Sequence, residues 1–522
     1  MSNSDRLFSP ASYIGLTILN VLFIFVMLSE PLGDAAESLM IKMAAPFQAK
    51  YLYDNPDNLL AYDFQTRSSE YWDKEKILLL TLDDLEVQNT GKPYPFNYAK
   101  YAEDIRMAHQ LEAKAIFIDL LITDERGEDS GIEYLLNTIC EINQTTPVFM
   151  ASTRYSGETF DPTPMHPVLL AHSNFQTTNP VCFQEVSVAL STETGEHKYW
   201  YYPLFESNKN KRGYLPSAGL AMYNHFAKER GVEKINFDNP DTSEALMALT
   251  WGATPAQFNL DFEDTRRKQD LAPSCRKDKN AFEYLSFLPF LSYQFEEKDV
   301  PLCPYFPETR PGLLAALEGS DETGKQTALK MVKDSLVIYS VNLTGVSDIV
   351  NSPVHGTISG AHYHAMAFHN LDRFGNNYIK SAEIEFSNLY NLLDLSKPDR
   401  TATTTLLALI IALTVASHWL RGWLTYKAPQ HLPWLNTDYD LLPNQMGTLK
   451  KIIWFILFLI YRFTVFVLKT IVYITLACGV VLAVSQFIVL DPFVWIEAAT
   501  LVTLLFASNA IGNLFEQFIE RT

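Results

Sequence analysis

Apolar residues crowd the two ends of this chain, and between them short apolar runs alternate with segments of helical period. Ser12 to Leu32 (SYIGLTILNVLFIFVMLSEPL) carries no charge before Glu30. About twenty such residues cross a bilayer's hydrocarbon core as a helix. A cleaved signal peptide would have a shorter apolar core, a basic start and a small-residue cleavage site. Here the only charged side chains ahead of the run are Asp5 and Arg6, which favours an uncleaved anchor. Near the other end, Thr401 to Leu420 is a second span, followed by Arg421 and Lys427 with Trp419 and Trp423 as interfacial anchors. The apolar stretch Ile452 to Leu490 is too long for one span and is interrupted by Arg462 and Lys469; a charge at a helix centre costs about 3 kcal/mol. Lys450 to Lys469 is therefore expected along the cytoplasmic interface, with Ile471 to Leu490 crossing the membrane. After the Asp491-Pro492 turn, Phe493 to Phe515 is the last span.

The expected order is residues 1–11 inside, 12–32 in the membrane, 33–400 outside, 401–420 in the membrane and 421–469 inside. Spans at 471–490 and 493–515 and an inner tail at 516–522 complete it. Arg421, Lys427, Lys450, Lys451, Arg462 and Lys469 then share the inner side, as the positive-inside bias requires. A five-span arrangement, with Ile452 to Leu468 crossing separately, would split that cluster and move the C-terminus outside.

The middle of the chain has a different rhythm. Ile77 to Leu82 reads as a strand ending on Asp83-Asp84, with a turn at Gly91-Lys92-Pro93. From Tyr98 to Leu111 the apolar positions Tyr101, Ile105, Ala108 and Leu111 fit a helical period. Ala115 to Asp119 is a strand, Gly131 to Ile142 a helix, Pro147 to Met150 a third strand and Ser335 to Ser340 a later one. Strand and helix alternating in this way predict βαβ units. The expected fold class is an α/β extracytoplasmic domain, a mostly parallel sheet with flanking helices, plus α-helical transmembrane segments, one N-terminal and three C-terminal.

Composition narrows the function. The 522 residues carry a formal net charge of -19, which argues against nucleic acid as a partner, since its backbone needs a basic surface. Cys140, Cys182, Cys275 and Cys303 lie in the soluble part and Cys478 in an apolar run. An even count outside the membrane permits two local disulfides in an oxidising compartment, and four buried free thiols fit equally well.

Asp83, Asp84 and Asp119 stand at the C-terminal ends of predicted parallel strands, where ligands bind in open α/β sheets. They form a candidate polar or cation-binding set, joined by Asp348 and His364. The plainer role for such residues is capping the following helix or holding loop amides. His355, His362, His364 and His369 are the richest histidine group, but no nearby cysteine or HExxH pattern supports a metal, and none is expected. No nucleophile elbow, P-loop or dinucleotide-type glycine motif is present, so no cofactor is expected either.

These residues resemble the second type of extracytoplasmic CHASE sensor (cyclase- and histidine-kinase-associated sensory extracellular). The resemblance rests on Leu82-Asp83-Asp84, the turn Gly91-Lys92-Pro93-Tyr94-Pro95-Phe96-Asn97, Phe117-Ile118-Asp119 and Leu215-Pro216-Ser217-Ala218-Gly219-Leu220-Ala221. It continues through Gly345-Val346-Ser347-Asp348, Ser352-Pro353, Gly360-Ala361-His362-Tyr363-His364-Ala365 and Asn370-Leu371. Asn97 stands where the family has arginine, and Tyr94 and Phe96 replace its tryptophans. A polar, Pro-rich stretch from Asp238 to Lys333 is longer than the family's usual connection. The resemblance implies a membrane-bound sensor of an unidentified extracytoplasmic ligand. Neither the segment after the last span nor the loop after Arg421 is long enough for a kinase or cyclase domain. The expectation is therefore a non-enzymatic sensor that relays its signal to a separate cytoplasmic or membrane effector, with the bundle free to form a homo-oligomer. A divalent-metal enzyme built on the aspartates, or a pore lined by Arg462 and Lys469, are the alternatives.

Overall fold

A sheet whose central strands are buried on both faces reads as a continuous apolar run rather than an alternating one, and Ile77-Leu-Leu-Leu-Thr-Leu82 is such a run. In chain order the elements are β1 (Ile77–Asp83), α1 (Asp84–Thr90), α2 (Tyr98–Gln110), β2 (Ala115–Ile118), α3 (Ile132–Ile142), β3 (Val148–Ser152), α4 (Pro167–Leu170) and β4 (Gln184–Ser187). Short strands β5 (Tyr201–Pro203), β6 (Phe205–Glu206) and β7 (Leu215–Pro216) lead into α5 (Ala218–Arg230). Then come β8 (Leu246–Ala248), α6 (Gln257–Lys268), β9 (Glu308–Thr309), α7 (Pro311–Glu318), α8 (Glu322–Val332) and β10 (Leu336–Asn342). The hairpin of β11 (Ile349–Ser352) and β12 (Gly356–Ser359) opens α9 (Gly360–Phe374).

The computed structural model describes residues 72–124, 131–153, 165–174, 180–190, 201–206, 214–237, 246–268, 275–277, 302–345 and 348–378, with Ala45, Ala49, Tyr53 and Asp54. All belong to one unit, Lys42–Ser381; the other, Met1–Ile41 with Ala382–Thr522, holds every predicted span and lies outside the described residues. Among the described residues no helix is long and apolar enough to cross a membrane.

Six strands form one sheet in the order β4-β3-β2-β10-β1-β9, and every neighbouring pair is parallel. Three of the helices are capped by side chains that accept a free amide of the first turn. Asp83 accepts from the Glu86 amide (2.9 Å) at α1, Asn97 from Ala99 (2.8 Å) at α2 and Asp321 from Gly324 (2.9 Å) at α8. Each such cap stabilises its helix by about 1 kcal/mol.

Successive residues of a strand point to opposite faces. Leu78, Leu80, Leu82, Ile116, Ile118, Val148, Met150, Val337, Tyr339 and Val341 share a core with side chains of α2, α3, α7 and α8. On the opposite face Phe117 meets His364 of α9 and Phe149 meets His225 of α5. Helices α5 and α9 pack on each other there. A Cβ at Gly219 would lie 3.0 Å from Ala367 Cβ and 3.2 Å from the Phe368 amide, so glycine sets their approach. Arg230 of α5 pairs with Asp372 of α9, whose other oxygen accepts from the Trp72 amide (2.7 Å).

Two local disulfides form, Cys140–Cys182 and Cys275–Cys303, which settles the choice between bridges and free thiols. The stretch from Asp238 to Lys333 is not the plain polar connection its composition suggested: it supplies α6, the edge strand β9, α7 and α8. Apolar positions are few in α6 and α8, and α7 is only 8 residues long, so no helical period stood out.

Candidate functional site

Parallel strands bring their C-terminal ends to one edge, and their register fixes which residues stand side by side. Tyr339 pairs with Ile118, and the Asp119 amide donates to the Tyr339 carbonyl (2.8 Å), so Asp119 flanks Ser340. Ser340 pairs in turn with Thr81 of β1. A polar row Asp119-Ser340-Thr81 therefore crosses three neighbouring strands on the face that α9 covers. The N-terminal turn of α9 presents His362 and His364 to the same end of the sheet.

Asp119 is the most strained member electrostatically. Its side chain is 7 % exposed, its Oδ2 has no hydrogen-bond partner, and its Oδ1 lies 3.9 Å from His364 Nε2. Burial, and then the neighbouring Asp348 charge, hold its carboxyl well above the usual aspartate range. Asp348 precedes β11 and is reached by solvent, but protein hems it in on one side and raises its carboxyl too. A Cβ at position 360 would run into the Asp348 carboxylate, so glycine here lets that carboxylate sit against the start of α9.

His364 is fixed from behind. Tyr202 of β5 lies 2.9 Å from its Nδ1, and the tyrosine oxygen already accepts from the Gly219 amide (3.0 Å). With the phenol proton directed at Nδ1, the imidazole proton sits on Nε2, facing Asp119. Burial pushes His364 down to about 3, so the ring is neutral. His362 repeats the arrangement beside β9. Its Nδ1 is 3.0 Å from Ser359 Oγ, its buried Nε2 has no partner and lies 3.8 Å from Glu308 Oε2, and burial pushes it down to about 4. Glu308 is raised, first by burial.

The structure thus gathers Asp119, Asp348 and His364, and assigns Asp83 and Asp84 other work. Asp83 caps α1 and pairs with Arg310. The Asp84 carboxylate holds the turn after β10 through the Thr344 amide (3.2 Å) and hydroxyl (2.6 Å). Ser340, Tyr202 and Glu308 join the edge without having been foreseen, and His362, noted in the sequence only as one of a histidine group, joins it too. The register of Ser340 was readable once β1 and β10 were paired, but no local signal marked Tyr202 or Glu308.

The histidines do not converge. His355 reaches the Gly252 carbonyl (2.6 Å) and His369 the Tyr53 hydroxyl (2.5 Å), away from the row. Among the described residues the one group of three ligand-type side chains within 4.8 Å of each other is Cys140, His172 and Cys182, whose thiols are joined as a disulfide.

No curated protein and no solved structure gives a significant match. The model of the CHASE2 domain matches residues 43–386, a range that contains the whole sheet, its edge row and α9. The chain belongs to the CHASE2 domain family of extracytoplasmic sensory domains.

Proposed function

We infer that this protein is a membrane-held sensor that reads a signal at the C-terminal edge of its sheet and relays it through α9. In this reading residues 33–400 face away from the cytoplasm, the predicted spans hold the chain in the membrane with both ends inside, and a separate effector receives the signal. The domain binds rather than turns over its ligand. The two disulfides suit an oxidising compartment.

One observation carries the relay. Helix α9 touches the polar row with its first turn and the start of the domain with its last turns. His369 lies against Tyr53, Arg373 stacks over the Tyr53 ring, and Asp372 holds Trp72 and Arg230. Tyr53 follows the first predicted span, and α9 precedes the second. A shift of α9 at the row would therefore reach both chain segments that lead to the membrane.

Hydrogen exchange on the full chain in lipid nanodiscs tests this. Asp119→Asn is expected to change protection near residues 45–54 and 365–378 as well as at the sheet edge. A change confined to the edge would overturn the relay. Cysteines introduced into 72–378 should react with an impermeant reagent from the outer side of intact cells, and labelling only after lysis would overturn the orientation.

A further inference from the structure

Resting on the sensory reading above, the occupant of the edge can be narrowed to a chemical class. Four polar atoms at this end of the α9-covered face are buried without a hydrogen-bond partner: Asp119 Oδ2, Ser340 Oγ, Thr81 Oγ1 and His362 Nε2. An unsatisfied buried polar atom costs about 1–3 kcal/mol; such atoms occur elsewhere among the described residues, but these cluster at one end of the sheet around a carboxylate. Asp119 and Ser340 stand side by side, and both can accept a hydrogen bond. Asp348 adds a second carboxylate, and among the described residues neither aspartate has a lysine or arginine within 4.0 Å.

Two features choose among cations. Compact divalent ions need several ligand atoms converging on one point, and at this edge no three carboxylate or imidazole side chains among the described residues come within 4.8 Å of one another. Exposed apolar side chains also stand close by along the chain: Leu121 and Ile349, each 49 % exposed, follow Asp119 by two residues and Asp348 by one. Apolar side chains do not stabilise a hydrated metal ion, but they suit the hydrocarbon part of an organic one.

We propose that the edge binds a small organic amine in its protonated form, with the ammonium group donating to Asp119 Oδ2, Ser340 Oγ and Asp348, and its hydrocarbon part lying against Leu121 and Ile349. The orphaned acceptors call for N–H donors, so a primary ammonium fits better than a quaternary one. Binding favours the ionised Asp119, so a proton leaves as the amine enters, and affinity rises with pH while that carboxyl titrates. His364, its Nε2 proton facing Asp119 Oδ1, helps hold the resulting carboxylate.

The test uses the full chain in phosphatidylcholine nanodiscs, which contain no lipid primary amine, at about pH 8, where alkylamines stay protonated. The probes are n-butylamine and 1,4-diaminobutane, compared with n-butanol, tetramethylammonium, magnesium and calcium by calorimetry and by tryptophan fluorescence. Saturable amine binding is expected, at least about ten-fold tighter than for butanol or tetramethylammonium, as charge-assisted hydrogen bonds require. Asp119→Asn should weaken it by about ten-fold or more. Asp348→Asn, at a solvent-reached position that tolerates change, should weaken it too, and Asp84→Asn should leave it within about two-fold. Amine binding that survives both Asp119→Asn and Asp348→Asn overturns the site. Binding of magnesium or calcium that depends on Asp119, with no amine binding, overturns the ligand class and leaves the sensory edge standing. If no probe binds and Asp119→Asn leaves exchange in α9 unchanged, both the ligand and the sensory reading fail. Binding that appears only when phosphatidylethanolamine is added to the discs overturns the free-amine assignment in favour of a lipid headgroup amine.

Discussion

The two faces of the sheet handle a buried carboxylate in opposite ways. Asp104, on the face covered by α2 and α3, is raised by burial but partnered: Lys100 Nζ lies 2.5 Å away and the Tyr339 hydroxyl donates to it at 2.8 Å. Asp119, on the face covered by α5 and α9, is also raised by burial, yet one oxygen has no partner and the other faces an imidazole 3.9 Å away. One carboxylate is locked into the core and the other is left waiting. The first arrangement stabilises a fold, and the second retains free energy that a ligand can release. The neutral histidines 362, 364 and 369 all belong to α9, so the waiting face is also the one whose protonation changes with pH.

Substitutions can break this contrast at either face. The largest effect is expected from Leu80→Ala, a fully buried position on the apolar face. It should cost about 2–5 kcal/mol, read as a drop in the melting temperature of the full chain that is the same across the pH range. A loss that varied with pH would show that the two faces are not separate.

Acidification comes next. A histidine whose folded pKa is lowered contributes stability above its unfolded value of about 6.5 and loses it as pH falls toward the folded value. With His362 at about 4 and His364 and His369 at about 3, these rings should lower the melting temperature between about pH 6.5 and 4, opposed by the raised carboxyls of Asp119, Asp348, Glu308 and Asp104. Each ring contributes about 1.4 kcal/mol per pH unit. His364→Gln or His369→Gln should remove one share of that slope. Their neighbours, Tyr202 and Asp119 for His364 and Tyr53, Arg373 and Lys74 for His369, add no second group with a lowered imidazole-range pKa.

Asp119→Asn should show the reverse sign. A carboxyl raised in the folded state adds stability below its unfolded value near 4 and loses it as pH rises through the folded one. The variant should thus be about 1–3 kcal/mol more stable than the parent at neutral pH and no more stable near pH 3. A variant less stable at neutral pH would mean that Asp119 is satisfied after all. The smallest effect belongs to Asp84→Asn. It loosens an exposed turn and should cost less than about 1 kcal/mol, measured by the same melting.

Much of the scaffold was legible along the chain. Leucines 78 to 80 and the run Ala115 to Ile118 read as buried strands because a parallel sheet leaves no face for polar residues, and the helix from Tyr98 declared itself by its period. Short elements escaped: α1 hid behind the Asp83-Asp84 pair, and β9 has only two residues. Among the site residues, strand-end position picked out Asp83, Asp84 and Asp119 alike, since all three have the same local grammar. Arg310 and Thr344 separated them, and both lie more than two hundred residues further along the chain.

The sequence by itself determined the parallel α/β core, the polar ending of its strands and the family, because hydrophobic period and short motifs are local properties. Only the tertiary structure decided which aspartate is engaged and which is left open. Hydrogen-bond partners and burial are set by the register of β10 between β1 and β2 and by the seat of α9 above them, and no local pattern encodes either.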